Sequence, residues 1–323
     1  MIVLKRLLVT LVLVAALPLP AAAQPYPNRV IKMILPFPAG SATDGASRFI
    51  AAELQKNLGQ PVIIENQPGA DGIIAAQNAK RAAPDGYTLF VSTNSAHGAN
   101  PAIYTNLPYD PEKDFEPVAG LIRIPQLMTV RKDFPADDVA GFVKVAKERA
   151  PAKELTFGSG NTSSRVAAEL LKVSAKVPMT DIPYKGTPQA LQDLVGGQID
   201  VFFVDPFAGM GLITGGKLKV LALTDTTRLP VMPMVPTMAE AGYKDVQVVS
   251  FAAVFAPAKT DPAVIDRLNK EINKILESPQ TKEYIHKMGA TPLVMTQGEL
   301  RSFVSSEIAR WGRLVQMAGI PKK

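Results

Sequence analysis

The stretch Val30–Arg48, VIKMILPFPAGSATDGASR, reads as a strand, a turn and the start of a helix. Val30, Ile31, Met33, Ile34 and Leu35 make a nearly continuous apolar run, as expected of a strand covered on both faces. Pro36, Pro38 and Gly40 end it. Ser41, Thr43 and Asp44 then supply N-cap chemistry for a helix whose apolar stripe is Ala46, Phe49, Ile50, Leu54 and Leu58. Such a junction aims unpaired backbone N–H groups, and the positive end of a helix dipole, at whatever lies above the strand. Taken alone it is an ordinary βα turn; as a site it suits a small anion.

A second junction of the same kind follows at Leu155–Leu171, LTFGSGNTSSRVAAELL. Gly158, Ser159, Gly160, Asn161, Thr162, Ser163 and Ser164 place hydrogen-bonding side chains beside helix N-terminal amides, and the two glycines allow close approach to the backbone. The loop departs from a dinucleotide fingerprint because Ser163 stands where the third glycine belongs. Two such loops, far apart in sequence, suit two lobes facing one ligand.

The N-terminus has the form of a secretory signal: basic Lys5 and Arg6, apolar Leu7 to Leu17, and Ala21-Ala22-Ala23 before a cleavage point at Gln24. About 300 residues remain, enough for two α/β lobes. With no cysteine there is neither a disulfide framework nor thiolate chemistry. The formal charge of +6 includes Lys5 and Arg6, so the mature chain carries about +4, a small excess that favours anionic ligands. No basic block interleaved with aromatics points to nucleic acid, and two distant histidines, His97 and His286, give no metal-ligand spacing. No cofactor is expected.

Along the chain, Pro61–Glu65 and Thr88–Ser92 follow as strands separated by a helix, and this β-α-β-α-β order implies a parallel, helix-covered sheet. The loop Thr93-Asn94-Ser95-Ala96-His97 lies at the carboxyl end of the third strand, the edge where open α/β sheets bind ligands. The pattern restarts with strands at Leu127–Arg131, Leu155–Phe157, Ile182–Tyr184, Ile199–Val204 and Leu218–Leu223. Val246–Phe255 is apolar enough to return to the first lobe, and the remainder is amphipathic helix, with Trp311 in the last one packing on that lobe. Crossings near 121–130 and 246–256 then form a two-strand hinge. The expected fold is α/β, a type II two-lobed periplasmic binding protein with parallel-sheet lobes. Residues 1–23 are the signal peptide, 24–123 with 250–323 the first lobe, and 124–249 the second.

The stretches YPNRVIKMILPFPAGSATDGASR, LGQPVIIENQPGADGIIAA, APDGYTL, NPAIYTNLPYDPEKDFEPVA, LTFGSG, IPYKGTPQALQDLVGGQIDVFF and GGKLKVLALT, in this order, resemble the Bug receptors, the substrate-binding component of tripartite tricarboxylate transporters. The resemblance implies a monomeric periplasmic receptor, not an enzyme, that takes a small carboxylate in the interlobe cleft and delivers it to integral membrane subunits. It maps the first binding loop to Pro38–Asp44, with Ala39 and Gly40 where the family has two adjacent glycines; Ala39 fits only at negative φ. The second loop maps to Ser159–Ser164, followed by Arg165 where the family often has histidine. Asn94 and the turn Tyr184-Lys185-Gly186 line the cleft by the same resemblance. The pocket floor, which is thought to select ligands, reads Val204-Asp205-Pro206-Phe207.

Other readings stand beside these. A ligand-sensing subunit of a signalling system would have the same sequence. A secreted hydrolase would need a GxSxG elbow, an SxxK pair or paired carboxylates, none of which is apparent. Asp44 either meets ligand or water or caps its own helix. Lys185 either contacts a carboxylate or is a solvated turn residue. Phe37 and Phe207 sandwich a ligand ring or pack in the core, and His97 reads as structural. Arg165, a cation in a first helical turn, needs a compensating anion: a ligand carboxylate or Glu169 four residues on.

Overall fold

The computed structural model describes residues 26–323, so the signal peptide and its cleavage point lie outside the described residues. The chain opens with strand β1 (Ile31–Leu35), helix α1 (Ala42–Leu58), β2 (Val62–Asn66), α2 (Ile73–Lys80) and β3 (Thr88–Thr93). A single π-helical turn at Ser95–Ala99 runs into the short α3 (Asn100–Ile103), and β4 (Phe115–Pro125) leads directly into β5 (Leu127–Arg131). There follow α4 (Val139–Arg149), β6 (Leu155–Ser159), α5 (Thr162–Ala175), β7 (Met179–Pro183), α6 (Thr187–Gly196), β8 (Val201–Val204), α7 (Pro206–Thr214) and β9 (Leu218–Leu223). The chain closes with β10 (Val249–Pro257), α8 (Pro262–Glu277), α9 (Pro279–Lys287), β11 (Thr291–Pro292) and α10 (Gln297–Met317).

These strands form two sheets, ordered β11-β4-β10-β3-β1-β2 and β7-β6-β8-β5-β9. Each contains the same plan. Three parallel strands, β2-β1-β3 or β7-β6-β8, are followed by an antiparallel strand that arrives from the other lobe, β10 or β5. A further antiparallel strand, β4 or β9, completes the pairing. The α/β, two-lobed architecture is thus the expected one, and the crossing strands make each sheet mixed rather than wholly parallel. The first sheet gives way to the second at Gln126, the single residue between β4 and β5.

Strand β4 carries Pro117 and Gly120, which read locally as turn signals. Its pairing with β10 absorbs them through two register irregularities. Gly120 must lack a side chain, because a Cβ there would lie 2.0 Å from the Leu293 carbonyl oxygen. On one face of the first sheet Ile50 and Leu54 of α1 meet Leu268 and Ile272 of α8; on the other, Ala75 and Ala76 of α2 meet Leu300 and Val304 of α10. In the second lobe α4 and α5 cover one face and α6 the other.

The last helix packs mainly on the first lobe, as expected, and also reaches the second. Its start packs on the first lobe, but Trp311, Leu314 and Val315 join the apolar cluster that contains Val166 and Leu170 of α5. The indole lies over Gly98 of the π-helical turn, where a Cβ would come within 2.8 Å of Trp311 Cδ1. Trp311 Nε1 donates to Glu307 at 3.0 Å, and Arg310 donates to the Gln247 carbonyl at 3.1 Å, on the segment returning to the first lobe. The helix therefore touches both lobes and the crossing between them.

Candidate ligand-binding site

Between the lobes lies a small chamber of about 50 Å³, and the residues around it come from the starts of four helices. Ser41, Ala42 and Thr43 open α1; Asn161 and Ser163 open α5; Thr187 opens α6; Asp205 caps α7. Phe37, Asn94, Ser95, Gln126 and Ser250 complete the walls, with Ile122, Ile124, Phe251 and Ala252 as apolar lining. At each helix start the first N–H groups have no intrahelical acceptor, and the dipoles add to the attraction for an anion.

Local hydrogen bonds hold these starts in place. Ser41 caps α1 by accepting from the Asp44 N–H at 3.1 Å, while Gly40 adopts φ 86°, a conformation that favours glycine. In α5, Asn161 Oδ1 accepts from the Ser164 N–H at 2.9 Å, and Ser164 Oγ takes the N–H groups of Gly160 and Asn161, each at 3.1 Å. Those contacts use Ser164 inside its own turn. Ser163 instead faces the other lobe: its hydroxyl receives the Asn94 amide at 2.9 Å and lies 2.7 Å from Ser250 Oγ.

Asp44 is committed to the protein. Its buried carboxylate accepts from the Gly40 N–H at 3.1 Å, Arg48 Nε at 3.0 Å and Asn66 Nδ2 at 2.9 Å. Burial pushes this carboxyl up, but the donors from Arg48, Asn66 and Gly40 together outweigh it and hold it below the usual carboxylate range. Asp44 braces the first loop from behind, and the N-cap itself is Ser41. Ala39 keeps a negative φ, as the loop requires, yet Ala39 and Gly40 are exposed and line neither chamber. Phe207 packs over the first lobe, where a Cβ on Gly45 would meet its ring at 2.8 Å, so it closes the lobes against each other rather than flanking the chamber.

A larger chamber of about 910 Å³ opens outward from the small one, and the two meet at Phe37, Ser95 and Asn161. Pro38, Ser159, Gly160, Thr162, Arg165, Tyr184, Lys185 and Gly186 line it. Arg165 pairs with Asp181 of β7, Nε to Oδ2 at 3.1 Å. Glu169, the partner read from helical spacing, instead pairs with Lys172 at 2.6 Å. Tyr184 donates to Asp193 at 2.7 Å, and Lys185 is exposed at the rim. Buried His97 lies outside both chambers, stacked on Phe255 at 3.9 Å with Nδ1 2.6 Å from Ser92 Oγ; burial pushes its pKa down to about 3.

Sequence reasoning missed Gln126, Thr187 and Ser250 as chamber residues, although Gln126 and Ser250 are the lone polar positions within the apolar runs IPQLM and VVSFAAVF. Among the described residues no cluster of His, Cys, Asp and Glu has the arrangement to hold a metal ion.

The family model for the tripartite tricarboxylate transporter family receptor matches residues 46–320. This chain belongs to that family. It is 34% identical over 310 residues, 96% of this chain and 95% of the relative, to Protein BugT of Bordetella pertussis. Its fold is similar to R. palustris Rpa4515, solved with adipate, at a TM-score of 0.89 and 32% identity, covering 92% of this chain and 100% of that one. It is likewise similar to the periplasmic binding protein BugD, at a TM-score of 0.86 and 31% identity over 92% and 100% of the two chains. The family and these neighbours are periplasmic solute-binding receptors.

One residue of the receptor's small chamber has an unusual charge balance. Asp205 is buried and caps α7 by accepting from the Ala208 N–H at 2.8 Å. Burial pushes its carboxyl up to about 6, against the smaller pull of backbone N–H groups of Ala208 and Asp205 itself. The folded protein therefore disfavours the ionised form, so the ligand-free receptor should gain stability as pH falls from about 6 towards the ordinary 3.8. Asparagine caps as well as aspartate. Asp205→Asn is thus expected to stabilise the ligand-free receptor at pH 7 by about 1–3 kcal/mol and to have little effect at pH 4. Denaturant midpoints at the two pH values check this; equal stability at pH 7 would mean the carboxyl carries no burial penalty.

Proposed function

We propose that this receptor captures a small carboxylate between its lobes and delivers it to the integral membrane subunits of a tripartite tricarboxylate-type transporter. It does so as a periplasmic monomer, after removal of residues 1–23. The observation that carries this reading is the meeting of four helix starts around one small chamber. Backbone N–H groups and hydroxyls there supply hydrogen bonds to an anion without a buried lysine or arginine, whose desolvation would be costly. Adipate, the ligand present in the R. palustris neighbour, is a carboxylate of the expected kind.

In this reading the ligand meets Ser41, Thr43, Asn94, Asn161, Ser163 and the amides beside them, while Arg165, Tyr184 and Lys185 line its route in from the larger chamber. Residues 24–123 with 250–323 move against 124–249, with the chain segments at Gln126 and before β10 as hinge. Ser163, bonded to Asn94 and Ser250 of the opposite lobe, then favours the closed arrangement.

Thermal melts with adipate and other mono-, di- and tricarboxylates test the reading. At a concentration 100-fold above its dissociation constant, a binder stabilises by about 2.7 kcal/mol and raises the melting temperature accordingly. The matching neutral amides should do nothing, and X-ray scattering should show compaction with the carboxylate alone. If no carboxylate shifts the melt, the anion reading fails.

A further inference from the structure

We propose that the receptor's ligand bears a hydrogen-bond donor, an ammonium or a hydroxyl, on the carbon next to its bound carboxylate, and that Asp205 and Gln126 receive it. The inference rests on the carboxylate reading and narrows it.

The small chamber has two kinds of wall. The helix starts offer N–H and O–H donors, as a carboxylate needs. Elsewhere it is lined by acceptors for which a bare carboxylate has no use. Gln126 is 2% exposed, and its Nε2 donates to the Pro125 carbonyl at 3.3 Å and to Ser250 Oγ at 3.2 Å. That contact with a carbonyl settles the amide's orientation, because the flipped side chain would set oxygen against oxygen. Gln126 Oε1 is consequently the free end, and it is buried without a partner. Asp205 presents a buried carboxylate to the same chamber, and among the described residues no cation or side-chain donor pairs with it. Thr93, 3% exposed, adds a second polar atom without a partner, its hydroxyl.

A buried acceptor left unpaired costs the full desolvation of that group, and two carboxylates at one site repel. An unsubstituted acid in this chamber leaves Gln126 Oε1 unsatisfied and sets its own charge against Asp205. A donor beside the carboxylate removes both costs. It must sit on the adjacent carbon, since about 50 Å³ admits only about four water-sized groups. Asparagine would cap α7 equally well without the penalty of a buried charge. The choice of aspartate thus costs folding stability and serves only when a donor arrives.

Isothermal titration with matched acids tests this: propionate, lactate and alanine; succinate, malate and aspartate; adipate, 2-hydroxyadipate and 2-aminoadipate. The expected result is at least tenfold tighter binding of a 2-hydroxy or 2-amino acid than of its unsubstituted parent in some series. The preference should shrink below threefold in Asp205→Asn and in Gln126→Met, each checked for folding by circular dichroism. Which substituted acid wins identifies the donor as ammonium or hydroxyl. If the unsubstituted acids bind as tightly as their partners, the proposal is overturned while the carboxylate reading stands. The same holds if the preference survives both variants. If no acid of any series binds, the carboxylate reading falls and this inference with it.

Discussion

Trp311→Ala should destabilise the receptor by about 3–5 kcal/mol, the usual loss for removing a large aromatic side chain from a packed interior. The indole is fully buried, joins the apolar cluster of the second lobe, and lies over Gly98 of the first. Its removal opens a void where α10, the π-helical turn and α5 meet, and frees Glu307 from its bond to Nε1. Because the chain has one tryptophan, unfolding is best followed by far-ultraviolet circular dichroism. Ligand affinity should fall as well, since the π-helical turn supplies Ser95 to the chamber and follows directly on Asn94. A loss below about 1 kcal/mol would show that the helix is not anchored through this side chain.

Gly160→Val is expected to weaken carboxylate binding at least about 30-fold, equivalent to about 2 kcal/mol. The structural reason differs from the one legible in the sequence. A Cβ on Gly160 would lie 3.0 Å from the Thr187 nitrogen and 3.1 Å from the Gly186 carbonyl carbon. The absent side chain therefore lets the start of α5 sit against the start of α6, which brings the ends of two helix dipoles to one chamber. A branched side chain must push them apart and spoil both sets of amides. Titration with adipate, or with whichever acid the melts select, measures the loss. Wild-type affinity in a folded Gly160→Val variant would show that the two helix starts need not touch for the site to work.

The elements that were legible in the sequence are those specified by near neighbours along the chain. The apolar run Ile31–Leu35 is a strand, Ser41 caps α1, and the Asn161 side chain caps α5, because each signal lies within a few residues of its effect. Strand β4 was hidden for the opposite reason. Pro117 and Gly120 mark a turn by local rules, and only pairing with β10, more than a hundred residues later, makes an extended strand favourable. The partner of Arg165 was equally hidden. Helical spacing offers Glu169, whereas β7 beside β6 brings Asp181 to it.

The sequence by itself determined two α/β lobes, the succession of strands and helices along the chain, the two polar loops at helix starts and the family, since these depend on periodicity, caps and motifs carried in short segments. Only the tertiary structure decided which of those polar groups remain available. Hydrogen bonds from Gly40 and Arg48 nearby and from Asn66 of the neighbouring strand occupy Asp44, and those within its own turn occupy Ser164, while Asn94 and Ser250 converge on Ser163 from the other lobe. Gln126 and Asp205 were left in the chamber without a donor for Oε1 or a counter-ion. A side chain's type fixes how many hydrogen bonds it can make, but its partners are set by which backbone segments the sheets bring within about 3 Å of one another.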